Sequence, residues 1–268
     1  MDYSIFIKDK LLEASKIAND NFGKVSGTVK PDDNNQVLTS TDIEIGKYLV
    51  NAVKQEFQSH NIIDEEAGVV DNQSEYTWVI DPIDGTSNFA NGLPMYGIMI
   101  GLLRNANSIA GGIMLPAFNE LYIAEKDKGA FLNGEKINVS TENTLLNCLV
   151  AYGIDGHQEN PELTMDETKI LASIVLNIRN LRTSNSVFDV AMVAKGRYAA
   201  FLNKTSKIWD NVAQQIIIEE AGGVYTDFYG KPMDYSKPLE KVTKNFTFCA
   251  STLVLHKSLQ EIIHAVQK

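Results

Sequence analysis

Apolar side chains at Ile7, Leu11, Ala14, Ala18 and Phe22 recur every three or four residues, which predicts an amphipathic helix closing near Gly23. The pattern then breaks: residues 26 to 36, SGTVKPDDNNQ, gather Gly, Pro, Asp and Asn at the density of a mobile surface loop or a hairpin. Periodicity resumes with Ile45, Leu49, Ala52, Val53 and Phe57. A second helix is therefore expected from near Thr41, with Thr41 and Glu44 at capping-box spacing and Asp42 in the first turn. Residues 76 to 80, YTWVI, are aromatic and β-branched and predict a strand that delivers the chain into Asp81. Residues 95 to 103, 108 to 114, 120 to 125 and 147 to 152 predict further strands joined by Gly- or Asn-containing turns, so the middle of the chain reads as largely sheet. Helical spacing returns after Asp166 at Ile170, Leu171, Ile174 and Val175, and again at Val187, Val190, Ala191 and Ala194 before Gly196. A last long helix is expected to open at Asp210, bury Val212, Ala213, Ile216 and Ile217, and stop at Gly222 and Gly223. The whole is mixed α and β, with no internal repeat, low-complexity tract or clear linker.

With 268 residues and 44% hydrophobic content, the chain can bury a sizeable core, as one large domain or two small ones. Its formal net charge of −10 is spread along the chain, which repels polyanions and argues against nucleic acid as a partner. The cysteines, Cys148 and Cys249, show no metal-ligand spacing and do not make a disulfide framework, so a reducing cytoplasm fits. The N-terminus, MDYSIFIKDK, lacks the apolar core of a signal peptide, and nowhere do eighteen apolar residues run together. These features predict a soluble, unprocessed protein with no membrane partner.

Chemistry concentrates in DPIDGTS, residues 81 to 87. Two carboxylates three residues apart, with Pro82 restricting the backbone between them, can face one point. A hard cation such as Mg²⁺ takes oxygen ligands, and Asp81, Asp84 and the Ile83 carbonyl offer three from one turn. Gly85 permits close backbone approach, and a helix starting at Thr86 would aim free N–H groups at a phosphate. Asp-Pro and Asp-Gly are also common turn dipeptides. Glu65-Glu66, after the apolar pair Ile62-Ile63, is either a second set of carboxylates at a sheet end or a solvated turn. Asp210 and Asp42 are either members of the same site or acids that cap the helices they begin.

WVIDPIDGTSNF (78 to 89), preceded by LTSTD (38 to 42) and IIDEEAG (62 to 68) and followed by IWDNVAQQIIIEEAGG (208 to 223), resembles the inositol monophosphatase family. The motifs stand in family order over most of the chain. The resemblance implies an α/β layered αβαβα sandwich over residues 1 to 268, a single unit with possible subdomains at about 1 to 150 and 151 to 268. It implies a homodimer, and hydrolysis of a small phosphorylated metabolite with two or three Mg²⁺ ions per site and no phosphoenzyme. Glu65, Asp81, the Ile83 carbonyl, Asp84 and Asp210 match metal ligands; Asp42 and Thr86 match the pair that orients the attacking water, with Glu65 also at the catalytic centre and Glu66 behind it. Asp84, Gly85, Thr86 and Asp210 would also meet the substrate, together with Ser184, Asn185, Ser186 and Asn203.

Those last four positions depart from the family. SNSVFD at 184 to 189 stands where relatives commonly read GSAALD, and Asn203 stands where inositol-type enzymes often carry glutamate. Inositol monophosphate or a related sugar phosphate, fructose 1,6-bisphosphate, histidinol phosphate and a nucleotide-derived phosphate therefore all stay open as substrates, as does a metal-binding relative without turnover. Asp64 takes the place of a usual glycine before the acidic pair, and Gly46 the place of an acid that often follows four residues after Asp42. Lys30 is expected to be solvated rather than at the metal, and Arg182 either shapes the substrate pocket or pairs with a surface acid. The three-residue acid spacing excludes the DxDxT motif of haloacid-dehalogenase-type phosphatases, and the alternating acids of a Ca²⁺ loop are missing.

Overall fold

Helix α1 (Tyr3–Asn21) buries Ile7, Leu11, Ala14 and Ala18, the stripe that its spacing predicts. In this computed structural model, which describes residues 2–31 and 33–266, it lies beside α2 (Ser40–Glu56), and the two helices cover one face of a sheet. Between them the polar segment forms a hairpin, β1 (Thr28–Lys30) and β2 (Asp33–Leu38); Asp32 falls outside the described residues. The capping box of α2 sits two residues earlier than expected. Thr39 is the N-cap, and Asp42 reaches back to accept its N–H at 2.9 Å, so the pair is Thr39–Asp42 rather than Thr41–Glu44.

The chain continues through β3 (Asn61–Asp64), β4 (Gly68–Val70), β5 (Tyr76–Asp84), the short α3 (Thr86–Ala90), β6 (Gly97–Arg104), β7 (Asn107–Leu115), β8 (Glu120–Glu125), β9 (Gly129–Leu132) and β10 (Glu135–Ile137). These strands make an eight-stranded sheet in the order β10-β9-β8-β7-β6-β5-β3-β4, in which only β3 and β5 run parallel. Strand β5 does not stop at Asp81 as expected. It runs on through Pro82 to Asp84, because its pairing with β6 shifts register between Asp81 and Asp84 and tolerates a residue with no N–H to donate.

The second half contains β11 (Leu149–Gly153), α4 (Pro161–Val175), β12 (Asn180–Arg182), α5 (Val187–Ala194), β13 (Ala200–Ser206), α6 (Ile208–Glu220), β14 (Gly223–Thr226), β15 (Phe246–Thr252) and α7 (Leu253–Val266). Its five-stranded sheet has the order β12-β11-β13-β15-β14, with β11 parallel to both β12 and β13. Helices α5 and α6 lie between the two sheets, and α4 and α7 cover the outer face of the smaller one. The layers are thus helix, sheet, helix, sheet, helix. Helix α4 opens at Pro161, five residues before Asp166, since proline suits the first turn. The last long helix is α7, not the one carrying Asp210.

The core follows the layers. One cluster lies between α1, α2 and the large sheet, another around α5 and α6, and a third under α4 and α7. Strand β6 is covered on both faces, so seven of its residues are buried in an unbroken apolar run rather than an alternating one. Helix α6 approaches that strand and β7 closely. A Cβ on Gly101 would come within 2.6 Å of Val212, and one on Gly111 within 2.9 Å of the Ala213 Cα, so paired glycines let the helix rest on the sheet backbone. Cys148 and Cys249 are buried free thiols. No helix among the described residues is long and apolar enough to cross a membrane.

Candidate active site

Strand register decides which acids meet. In the parallel pair β3–β5, Asp64 lies opposite Ile80, and the Glu65 N–H reaches the Ile80 carbonyl at 3.3 Å, which sets Glu65 beside Asp81 at the strand ends. In the parallel pair β11–β13, Gly153 lies opposite Asn203, which brings the smaller sheet's strand ends to the same cavity. That cavity has a volume of about 300 Å³ and is walled by Glu65, Asp81, Ile83, Asp84, Gly85 and Thr86 on one side and by Asp155, Ser184, Asn185, Ser186 and Asn203 on the other. Helix α6 adds Asp210 from its first turn, where one carboxylate oxygen accepts the Lys207 N–H at 2.5 Å.

Oxygen atoms of Asp81, Asp84 and Asp210 all lie within 4.8 Å of one another. Two carboxylate charges at such a distance repel by about 3 kcal/mol even at an effective dielectric constant near 20. Burial accordingly pushes Asp81 and Asp84 well above the usual carboxylate range, with the neighbouring acids adding to the shift. Asp210 is pushed up to about 6 by burial, and Glu65 to about 8 by burial despite its lysine partner. Asp81 Oδ1 is buried with no hydrogen-bond partner among the described residues. Convergent, desolvated, all-oxygen donors with an unpartnered lone pair fit a hard divalent cation.

Glu65 stands outside the group of three. Its carboxylate meets Lys30 Nζ at 2.9 Å, and the same ammonium reaches Glu66 at 2.7 Å. The hairpin is thereby fastened over the acidic turn. Lys30 is not the solvated lysine expected: hairpin pairing of β1 with β2 carries it inward, and its side chain is only 26% exposed. Arg182 is exposed and off the cavity wall, with its Nη1 on the Leu181 carbonyl at 2.7 Å. Glu66 also lies off that wall.

Thr86 and Asp42 form a second device beside the acids. The Thr86 hydroxyl lies 3.1 Å from Asp42 Oδ1 and 2.7 Å from the Ile83 carbonyl, so its single proton can turn to either. Asp42 is 1% exposed, and burial pushes it up to about 6 against the hydrogen bonds from Thr39 and Thr86. Gly85, the N-cap of α3, has φ 81° and meets the opposite wall directly: a Cβ there would lie 2.8 Å from Ser186 Cβ.

Residues 184 to 189 are strapped to the acid side. The Val187 N–H donates to Asp84 Oδ1, the Ser184 N–H to Asp189 at 2.8 Å, and Asn88 Nδ2 to the Ser184 carbonyl at 2.9 Å. Ser184 and Ser186 hold their hydroxyls 2.9 Å apart, and Asn185, at φ 53°, donates to Asp155 at 3.0 Å. Asn203 accepts the Thr205 N–H at 2.7 Å in the stretch where β13 slips register against β15. The candidate metal, phosphate and substrate residues therefore all lie on this cavity, with Asp42 one hydrogen bond behind it, whereas Glu66 and Arg182 lie off its wall. Asp155, Asn88 and Lys207 were missed. Asp155 sits in a polar loop with no motif around it, whereas Asn88 belongs to the DGTSNF stretch and its fixed distance from Gly85 could have flagged it.

Layered sheets and helices around these converging carboxylates define a phosphoric monoester hydrolase. More narrowly, the chain belongs to the inositol monophosphatase family, whose sequence model matches residues 4–268. A Thermotoga maritima protein described as fructose-1,6-bisphosphatase/inositol-1-monophosphatase is 31% identical over 271 residues, spanning 99% of this chain and 96% of its own. A protein of the same description from Aquifex aeolicus is 31% identical over 237 residues, 85% of this chain and 89% of its own. Among solved structures, an IMPase of Thermotoga maritima superposes with a TM-score of 0.86 at 29% identity, covering 100% of this chain and 98% of that one.

Proposed function

We propose that the protein hydrolyses a small phosphomonoester of a sugar or polyol, with Mg²⁺ bound at the acid cluster and water as the nucleophile. The observation that carries this is the meeting of Asp81, Asp84 and Asp210 within 4.8 Å around an unpartnered Asp81 oxygen. Glu65, Asp81, Asp84, Asp210 and the Ile83 carbonyl would hold two or three ions. When bound, Mg²⁺ supplies positive charge that offsets the acids, attracts the phosphate and acidifies a nearby water.

The chain's own groups do the rest. Backbone N–H groups at Gly85 and Thr86, at the start of α3, hold the phosphate. The Thr86 hydroxyl turns its proton to Asp42 Oδ1 and offers its lone pair to the attacking water, so that Asp42 takes up the proton the water gives off. As the new P–O bond forms, the ester P–O bond breaks with its electron pair going to the alkoxide oxygen, which takes a proton from solvent water and leaves as the alcohol on the side facing Ser184, Asn185, Ser186 and Asn203.

The descriptions of the Thermotoga and Aquifex relatives favour a second reading in which a sugar bisphosphate is also taken. Lys207 on the cavity wall is a cation that a second phosphate could meet. We assign the work to a single unit over the whole chain, as a homodimer in the cytoplasm, where two buried, unpaired thiols persist. The test is phosphate release from inositol, sugar, histidinol and nucleotide phosphates and from fructose 1,6-bisphosphate, each with Mg²⁺ and with EDTA. Release from a polyol or sugar phosphate that EDTA abolishes is expected; release from none, or release untouched by EDTA, rejects the reading.

A further inference from the structure

Helix α2 and the turn after β3 meet where a side chain is missing. A Cβ on Gly46 would stand 3.1 Å from both carboxylate oxygens of Asp64 and 3.2 Å from Pro82 Cγ. The Asp64 carboxylate thus lies against the open position on the helix. It is 1% exposed, and its Oδ1 accepts the N–H groups of Glu66 at 3.0 Å and Ala67 at 2.6 Å. Those bonds close the turn that presents Glu65. The other oxygen, Oδ2, is buried with no hydrogen-bond partner.

A half-satisfied buried carboxylate is unfavourable for the fold, so stability alone does not account for an acid at this position. What the acid does is local. Its two bonds fix the backbone between β3 and β4 directly after the residue paired with Ile80, and Glu65 is the next residue along. Because the two positions touch, the space that a side chain at 46 would take is the space the Asp64 carboxylate fills.

We propose that Asp64 is a positioning residue for the metal centre, its buried carboxylate admitted by Gly46 and holding the Glu65–Glu66 turn so that Glu65 faces Asp81. The inference rests on the metal site proposed above. Its partner prediction is that a carboxylate placed at position 46 can replace the one at 64.

The test is calorimetric titration of the metal-free full-length protein with MgCl₂ alone, with circular dichroism to verify the fold. Asp64→Ala should weaken Mg²⁺ binding by about 10-fold, the scale of an orienting group behind a ligand. Asp64→Asn keeps an acceptor for both N–H groups and should stay within about 2-fold of wild type. Gly46→Glu alone should bind Mg²⁺ poorly or fail to fold, while the double variant Gly46→Glu/Asp64→Gly should recover most of the affinity. Wild-type affinity in a folded Asp64→Ala overturns the proposal. If that variant does not fold, loss of affinity in Asp64→Asn together with no recovery in the double variant overturns it equally. Wild-type protein that binds no Mg²⁺ would instead reject the metal site itself.

Discussion

The two walls of the cavity are built by different means. On the large-sheet side, Glu65, Asp81 and Asp84 are placed by strand register, and Asp42 and Thr86 by hydrogen bonds within a few ångströms, all in a largely dry setting. On the small-sheet side, Ser184, Ser186, Asn185 and Asn203 are neutral and stand beside the acid Asp155, and two of them hang on irregular backbone, a left-handed residue at 185 and a register slip after 203. A reaction that gathers charge needs its charges at fixed points before the substrate arrives. An alcohol that merely departs can be recognised by exchangeable hydrogen bonds. On the proposed reading, the chemistry would be held by the wall that strand register fixes, and selectivity by the wall with irregular backbone.

The largest effect should come from the charged wall. Asp84→Asn removes a ligand charge without changing shape, and phosphate release with Mg²⁺ should fall by about 10³-fold, several kcal/mol of barrier, while circular dichroism stays unchanged. Wild-type turnover in that variant would erase the contrast between the walls. Next, Thr86→Val should cost about 10²-fold by taking away the proton path to Asp42. Because Asp42 is pushed up to about 6 by burial and must be charged to accept a proton, the wild-type rate should rise with pH through about 6 and then level. A rate profile in Asp42→Asn that keeps the same rise would show that another group titrates.

The neutral residues of the small-sheet wall should answer more gently. Asn203→Glu is expected to change the ratio of kcat/KM between two polyol phosphates by about 10-fold, the worth of one hydrogen bond, with kcat on the better substrate nearly unchanged. An unaltered ratio would place Asn203 outside the alcohol subsite. The smallest effect concerns the metal-free protein. Asp210 and Glu65 have folded-state values raised to about 6 and 8, above the roughly 4 of an unfolded chain, so the folded state holds their protons more tightly. Their contribution to stability is full below about pH 4 and is lost as the pH rises through 6 toward 8. Melting in EDTA should therefore drop by about 5 °C from pH 5 to pH 8, and saturating Mg²⁺ should flatten that drop. A melting temperature that rises over the same range in EDTA would contradict the assigned burial.

Much of the charged wall was legible because its residues lie in short motifs with a physical reason for their spacing. Asp81 and Asp84 follow an aromatic, β-branched run, and Asp210 precedes an apolar helix. What the spacing hid was that Pro82 lies within a continuing strand, since register shifts depend on the partner strand rather than on the local sequence. Strands β13 and β15 escaped notice because AFLNKTS and FTFCAST show no clean alternation, and α7 because no Gly or Pro separates it from β15. Lys30 and Asp64 were misjudged or left unexplained for a related reason. Their partners, Glu65 with Glu66 and Gly46, are distant in sequence or significant only for the room they leave.

The glycine pair at 101 and 111 carries a consequence beyond packing. Helix α6 rests on that bare backbone through Val212, Ala213 and Ile216, and Asp210 stands in the same helix two residues before Val212, so the gap between sheet and helix sets the span across which Asp210 faces Asp81 and Asp84. A single methyl group added at Gly111, deep in the core and remote from any substrate, would widen the jaws of a clamp whose grip is on the ion. The loss would surface first as tuning, a shift in which cation is held and how firmly, before it surfaced as unfolding.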